Sequence, residues 1–402
     1  MLNSTISHRR KPSPWWLQAK VLPCDKIQPG MRIVVSIMAL LFFSSPIFGQ
    51  VTSAMDSESS RRSIPPIEKE RLTESSYKEQ SVAWENETQI NPADENAWLN
   101  YYKAERYTNF SAHSRGISRE SQFALDDILS NMEQHVPNSL SFHYASFLNG
   151  NYSDAALKHL EMAFNLQPNN KELFDEMLSR AVIQRDTEKQ KLFAGKLKTT
   201  GVYTPAELEY NHNLLSGIPS GGVLITYGNV DTYPILIDQL VQSYRGDVTV
   251  VCLNWIGSER YRGNLAAQLS IPAGQLKPEE ETFVKTLVSQ LEKKRVFLSL
   301  TLPPSLLKKY STELYLEGLA FEYSPNKLDN LPLLAGNWEV YYKKNELLSS
   351  DPLNRNYILP LTELYNYYRD TGQPIKQKEC EVLLRQLAGR TSSPAKVTKY
   401  LD

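Results

Sequence analysis

The residues of this sequence that are best suited to chemistry lie in one short polar segment, from Gly228 to Thr232. An apolar run, 223–227, precedes the segment and Pro234 follows it. This pattern predicts a strand, a tight turn and a helix that begins near Thr232, since proline suits the first turn of a helix. Ligands of open parallel sheets bind beyond the carboxyl ends of the strands, so the segment is a candidate binding rim.

Each residue of this rim has a chemical reason to be chosen. Gly228 allows a close approach to the backbone, and the polar side chains around it can hydrogen-bond to a ligand. A second apolar run, 248–253, should end at the same edge of the sheet. The predicted ligand-binding residues are Gly228, Asn229, Asp231, Thr232 and Asn254.

Asp231 is the only candidate acid or base in the rim. Proton transfer normally needs a second ionisable group, for which His212 and Glu259 are the guesses. The simpler interpretation is that Asp231 or Thr232 caps the helix with its side chain. The sequence therefore leaves open whether the chain is an enzyme, and it favours a protein that is not.

Known cofactor and metal motifs do not occur in the sequence. The rim lacks the further glycines of the dinucleotide motif and the Gly-Lys-Ser/Thr of a P-loop. The six histidines and three cysteines show no metal-ligand spacing, and we predict no metal and no cofactor. Cys252 lies within an apolar run and is expected to be a buried thiol.

Strand-like and helix-like patterns alternate around the rim. The runs 223–227, 248–253 and 296–301 are short and apolar, and helical periodicity separates them. This alternation predicts a small parallel-sheet, Rossmann-like α/β domain over 205–335. From Pro360 the chain returns to helix, so 336–402 is predicted as a helical tail that ends in a hairpin.

The region 83–204 has helical periodicity throughout. Apolar residues from Leu140 to Phe147 and from Ala156 to Leu166, with Pro168 after them, resemble a tetratricopeptide repeat of about 34 residues. A generic helical bundle is the alternative, because any bundle core repeats apolar residues in this way. Stacked hairpins of either kind offer a surface for a protein or peptide partner.

The N-terminal part contains an apolar run, 33–43, that follows Met31 and Arg32. It is shorter than the roughly twenty apolar residues of a spanning helix and suits a signal-peptide core. We predict a spurious or extended N-terminus over 1–30, a signal peptide over 31–50 and a disordered linker over 51–82. The alternative is an uncut membrane anchor that retains 33–48.

Two motifs resemble a known family. Part of a Gly-Asp-Asn-Asp-Thr-Tyr-Pro motif is matched by Gly228, Asp231, Thr232, Tyr233 and Pro234, and 317–320 matches a later Glu-Gly-Leu-Ala motif. On these residues, 220–330 resembles the soluble C-terminal domain of bacterial glycosyltransferase-like membrane proteins of unknown function. The resemblance implies an accessory domain. Asn229 replaces an acidic residue of the motif, which weakens a metal or acid–base role.

Composition narrows the classes of function. Net charge is −1 and the basic residues are scattered, so no nucleic-acid partner is predicted. We expect an exported, periplasmic or cell-envelope protein with a non-catalytic binding or scaffolding function that is accessory to glycan or protein modification. The alternatives are an enzyme that acts at the 228–232 rim and a membrane-anchored subunit of an envelope complex.

Overall fold

The computed structural model describes residues 61–65, 67, 72–112, 117–291, 294–391, 394–399 and 401. All of these residues belong to one compact unit. The segments predicted over 1–30 and 31–50 therefore fall outside the described residues, as does the alternative anchor. Within the described ranges, no helix combines the length and apolar character needed to cross a membrane.

The first half of the described chain is helical. Its helices are α1 (Glu74–Ile90), α2 (Glu95–Ala112), α3 (Arg119–His135), α4 (Leu140–Asn149), α5 (Asp154–Leu166), α6 (Phe174–Gln184) and α7 (Thr187–Thr200). Serine side chains begin several of them: Ser118, Ser139 and Ser153 each accept a hydrogen bond from a backbone N–H of the first turn. Such caps satisfy donors that the helix itself leaves unpaired.

Helix α1 corrects the predicted linker over 51–82, because it begins at Glu74. Thr73 caps its first turn. Tyr77 is fully buried, and its ring packs edge-on against that of Tyr107 with 5.7 Å between the centroids. Ile64 is also buried in this cluster. The burial of a few large side chains therefore holds this part of the chain in place, although its composition is mostly polar.

The helices α2, α3 and α4 share one apolar core, which includes Trp98, Tyr102, Leu125, Ile128, Met132 and Phe142. Helices α4 and α5 form a closely packed hairpin. A Cβ added at Gly150, in the turn between them, would lie 2.5 Å from the Cβ of Ala156. Small residues at 150 and 156 therefore permit the close approach of the two helices.

The second half contains a five-stranded sheet with helices between its strands. The elements are α8 (Pro205–Ser216), β1 (Val223–Thr226), α9 (Thr232–Val241), β2 (Thr249–Cys252), α10 (Glu259–Leu269), α11 (Glu280–Gln290), β3 (Val296–Ser299), α12 (Pro304–Lys309), β4 (Leu314–Glu317) and β5 (Ala320–Tyr323). The strand order is β2-β1-β3-β5-β4. All three predicted strands are present, each within two residues of its predicted ends.

The sheet is mixed, which corrects the prediction of a parallel sheet. Strand β1 pairs in parallel with both β2 and β3. Strand β5 pairs antiparallel with β3 and with β4. Gly318, at φ +66°, lies in the two-residue turn that joins β4 to β5. Glycine adopts this left-handed conformation without a steric penalty, so the segment around it closes as a hairpin.

The tail is helical, as predicted, and consists of α13 (Leu331–Val340), α14 (Ile358–Asp370), α15 (Pro374–Ala388) and α16 (Pro394–Thr398). Helices α14 and α15 pack against each other across a turn that contains Gly372 at φ +68°. The predicted terminal hairpin is therefore confirmed. Cys380, on α15, is a buried free thiol.

Contacts cross from the helical first half to the sheet. The hydroxyl groups of Ser179 on α6 and Tyr233 on α9 are 2.6 Å apart, in a buried hydrogen bond. Asn264 on α10 donates to the carbonyl of Ile183 at 2.8 Å. The junction near 205 thus carries buried hydrogen bonds, and the division into domains at that point stays a prediction.

Candidate functional site

The carboxylate of Asp231 lies at the centre of the predicted rim and is fully buried. Both of its oxygens accept from the backbone N–H of Tyr227, at 3.1 and 2.9 Å. The hydroxyl of Thr232 donates to Oδ1 at 3.2 Å, and that of Thr301 donates to Oδ2 at 2.5 Å. Groups of the protein itself therefore surround this carboxylate.

The structure does not support the interpretation of Asp231 as a side-chain cap. Asp231 does hold the N-cap position of α9, which begins at Thr232 as predicted, but it makes no capping hydrogen bond. Its carboxylate is turned towards the ends of β1 and β3, where Tyr227 and Thr301 lie. The carboxylate joins the carboxyl ends of β1 and β3 by hydrogen bonds. The local sequence around 231 could not indicate this role.

Burial decides the titration of Asp231. It raises the pKa of the carboxyl group from 3.8 to about 6, although the hydrogen bonds from Thr301 and Tyr227 favour the charged form. A carboxyl group that titrates near neutrality is suited to proton transfer. This one has no exposed surface, however, so a substrate cannot touch it in this conformation.

Thr232 also points into the protein. Its hydroxyl is 2.8 Å from that of Thr226, the last residue of β1. The side chain of Thr232 and the backbone of Gly228 both hydrogen-bond to the thiol of Cys252. Cys252 is a buried free thiol, as predicted. Burial raises its pKa to about 12, so the thiol stays protonated.

Gly228 and Asn254 meet at the rim, as expected for the carboxyl ends of neighbouring parallel strands. Gly228 has a φ of +83°, and a Cβ added to it would lie 2.7 Å from Nδ2 of Asn254. Asn229 is half-buried, and Val230 uses its carbonyl to accept from Asn211 Nδ2 at 2.8 Å. Of the predicted ligand-binding residues, Asn229 and Asn254 keep partly exposed side chains.

The two guessed partners of Asp231 lie elsewhere. His212 Nδ1 is 2.8 Å from Asp238 Oδ2, and the imidazole stacks on Tyr244 with 4.4 Å between the ring centroids. Glu259 is exposed at the first position of α10. Neither makes a hydrogen bond or ion pair with Asp231 in the part of the chain that the structure describes. The rim thus contains one buried acid and no second ionisable group bonded to it.

Sequence reasoning missed two residues that complete this edge. Thr301 follows β3 just as Asn254 follows β2, so the same rule would have placed it at the rim. Glu280, at the start of α11, hydrogen-bonds to Tyr227; burial and the Glu280 carboxylate raise the pKa of that phenol to about 12. Burial raises the pKa of Glu280 as well. No pattern around 280 indicates this contact.

Metal binding has no support from the side chains. The described ranges contain no group of three or more His, Cys, Asp or Glu residues that could hold a metal ion.

Comparison with known proteins gives one match. A family model described as TMEM260-associated domain 2 matches residues 208–275, a minor part of the chain. The matched segment runs from α8 through β1, the 228–232 rim, α9 and β2 into the loop after α10. It relates this part of the chain to a family of membrane proteins. No curated protein and no solved structure matches the chain.

Proposed function

We propose that this chain is an exported, non-catalytic binding or scaffolding protein of the cell envelope, in the periplasm. Its helical first half binds a protein or peptide partner, and its α/β half is an accessory module for glycan or protein modification.

The observation that carries the non-catalytic assignment is the burial of Asp231. The one acid of the rim is fully buried, and its oxygens bond to Tyr227, Thr232 and Thr301. An active rim should instead present two converging ionisable groups to a pocket. The arrangement favours a structural carboxylate that holds the ends of β1 and β3 together.

The helical half supports the binding role. Helices α4 and α5, and then α6 and α7, are successive packed hairpins, and the close approach at Gly150 and Ala156 suits a tetratricopeptide-like unit. Helix α5 also exposes apolar side chains one turn apart, Met162 at 46% and Leu166 at 50%. These two side chains share one face of the helix and could pack against an apolar side chain of a partner.

The accessory role rests on the α/β half. Its parallel strands have the order β2-β1-β3, in which helices connect consecutive strands, and this is typical of a Rossmann-like core. The resemblance of 220–330 to the soluble domain of glycosyltransferase-like membrane proteins overlaps the family match at 208–275. Both point to a module that works beside a membrane-bound machinery.

Cross-linked affinity capture tests the binding role. The full chain carries a C-terminal tag and is produced in its own host, and proteins recovered from the envelope fraction are quantified by mass spectrometry. We expect at least one envelope protein to be enriched with the native chain. Its recovery should fall at least fivefold when Met162 and Leu166 are both replaced by Ser.

The matched control replaces two exposed apolar residues of the tail, Val340 and Ile375, which are 72% and 76% exposed. The Val340→Ser/Ile375→Ser variant should capture the same protein as the native chain does. Equal loss in both variants would place the partner elsewhere. Recovery of the chain in the cytoplasmic fraction would contradict export. An integral-membrane fraction that resists carbonate extraction would favour the anchored alternative.

A further inference from the structure

Two histidines face each other inside the α4–α5 hairpin. Nδ1 of His143 on α4 is 3.1 Å from Nδ1 of His159 on α5, and the ring centroids are 5.2 Å apart. His143 is only 5% exposed, and His159 is half-buried. At this distance one imidazole must donate its Nδ1 proton and the other must accept it. The contact therefore holds one proton between the two Nδ1 atoms and has no room for two.

The surroundings of the pair oppose positive charge. The ring of Phe142 packs against both imidazoles, with centroids 5.3 Å from His143 and 5.7 Å from His159. Burial lowers the pKa of both imidazoles below 6.5, and the His159 ring further disfavours charge on His143. The one described charge that favours a proton is Glu133 of α3, which acts on His159.

Other charged groups on the packed helices have partners near the pair. From α2, Glu95 accepts from the backbone N–H of Ser141, and Lys103 lies over the ring of Tyr144. From α6, Arg180 forms an ion pair with Glu161, which lies two residues after His159 on α5. These interactions hold the hairpin in place and leave Glu133 as the main electrostatic support for a second proton.

The turn of this hairpin contacts the sheet half of the protein. Arg260 at the start of α10 makes two 3.1 Å hydrogen bonds to the carboxylate of Asp154. Asn151 lies so close to Gly257 that a Cβ there would overlap its side chain. Tyr152 donates to Glu176 of α6 at 2.8 Å. Movement of α4 against α5 would therefore disturb the contact between the hairpin and α10.

We propose that the His143–His159 pair makes the α4–α5 hairpin proton-sensitive, so that a second proton separates the two rings and loosens the contact of the hairpin with α10. Two Nδ1–H groups pointing at each other at 3.1 Å repel, and neither retains an acceptor. The packed hairpin is therefore the form with fewer protons, and the opened hairpin, whose rings are hydrated, takes up more.

The direction of the pH effect follows from this difference. Above the ordinary imidazole pKa of 6.5, neither form gains a proton and the packed hairpin keeps its full stability. As pH falls below 6.5, the opened form takes up protons that the packed form excludes. The equilibrium constant for opening then rises about tenfold per pH unit for each such proton.

Hydrogen exchange measured by mass spectrometry on the full chain at pH 7.5 and pH 5.0 tests the proposal. After correction for the intrinsic effect of pH on exchange, amides of 140–166 should lose at least tenfold in protection at pH 5.0 relative to those of α15. His159→Gln removes one titrating ring and supplies an amide donor to His143. In this variant the acid-induced loss should fall at least threefold.

His135 provides the matched control, because it is an exposed histidine on α3 that bonds to its own helix at Asn131. His135→Gln should keep the full acid response. Nitrogen NMR of the histidine rings in the native chain gives a readout that needs no variant, and both paired rings should titrate below 6.5. Protection that does not change with pH, or two rings that titrate at 6.5 or above, would overturn the proposal.

Discussion

The hydroxyl of Thr301 donates a 2.5 Å hydrogen bond to the buried carboxylate of Asp231, a residue 70 positions earlier in the chain. Thr301 follows β3 and Asp231 follows β1, so the bond joins the carboxyl ends of two neighbouring strands. Ser299 lies 2.7 Å from the same threonine hydroxyl and extends the chain of polar groups. The feature most like an active-site acid is thus a cross-strand tie.

Asp231 should make stability depend on pH. Its folded pKa of about 6 exceeds the 3.8 of an ordinary aspartate, so the folded protein holds the proton more tightly than the unfolded chain. Stability from this group is full below about pH 4 and falls as pH rises to about 6, by on the order of 3 kcal/mol. Asp231→Asn should lack this fall, and urea unfolding across pH 4–7 measures it.

Asp231→Ala is the companion variant. It removes the acceptor of the Tyr227 N–H and the Thr301 hydroxyl and should cost about 1–3 kcal/mol at pH 4, where the native carboxyl group holds its proton. A difference between the native chain and Asp231→Asn that stays constant from pH 4 to 7 would contradict the raised pKa. A stable Asp231→Asn protein that loses a ligand held by the native chain would instead favour the enzyme alternative.

Gly228→Ala should destabilise the protein by about 1–2 kcal/mol, because φ is +83° and a Cβ would press on Asn254. Gly263 is the matched control, since it lies within α10 and a Cβ there meets nothing within 4 Å. Gly263→Ala should be neutral or stabilising by up to about 1 kcal/mol. Thermal melts of both variants make the comparison. Equal melting temperatures would show that the turn at 228 tolerates a side chain.

Tyr233→Phe should cost about 1 kcal/mol, since it removes the buried hydrogen bond to Ser179 that links α9 to α6. Tyr367→Phe serves as the control, because the Tyr367 hydroxyl bonds to no other described group. The comparison uses the free energy of unfolding in urea. If the two variants behave alike, the Ser179 bond contributes nothing.

A fragment that begins at 206 tests the junction directly. It would expose Tyr233 and Asn264, which the helices preceding 205 cover or bond in the full chain. We expect the fragment to unfold at a lower urea concentration than the same residues do in the full chain. A fragment as stable as the full chain would show that the α/β half folds as an independent domain.

The mature protein should begin near Gln50 or Val51, because the apolar run 33–43 is short and Gly49 supplies a small residue before the cut. N-terminal sequencing of protein purified from the periplasmic fraction is the measurement. An exported protein that still contains 33–48 would identify an anchor. A cytoplasmic protein that begins at Met1 would contradict the prediction of a signal peptide.

The fold could be predicted from the sequence wherever a local pattern decides it. The apolar runs gave β1, β2 and β3, and helical periodicity gave α4 to α7 and the terminal hairpin. The β4–β5 hairpin was missed because each of its strands contains a glutamate, Glu317 or Glu322, so neither reads as the continuous apolar run that marks β1, β2 and β3. The start of α1 was missed because residues 51–82 are polar on average, and that composition gives no sign that Tyr77 is buried.

The rim was predictable in place and not in detail. The carboxyl ends of neighbouring parallel strands lie at the same end of a sheet, and this rule correctly predicted that Gly228 and Asn254 are close together. The direction of the Asp231 side chain depends on Thr301, which is distant in sequence, and no local pattern encodes such a contact. For the same reason His212 could not be assigned to Asp238 before the packing of α8 on α9 was seen.

The position of β1 between β2 and β3 sets the order in which the sheet can assemble. Its partners β2 and β3 both come later in the chain, and β3 follows only after α9, α10 and α11. A polypeptide still emerging from the ribosome or a translocation channel therefore holds β1 half-paired until the third strand arrives. Because such non-local pairing is slow, the sheet closes late, after most of the α/β half has left the ribosome.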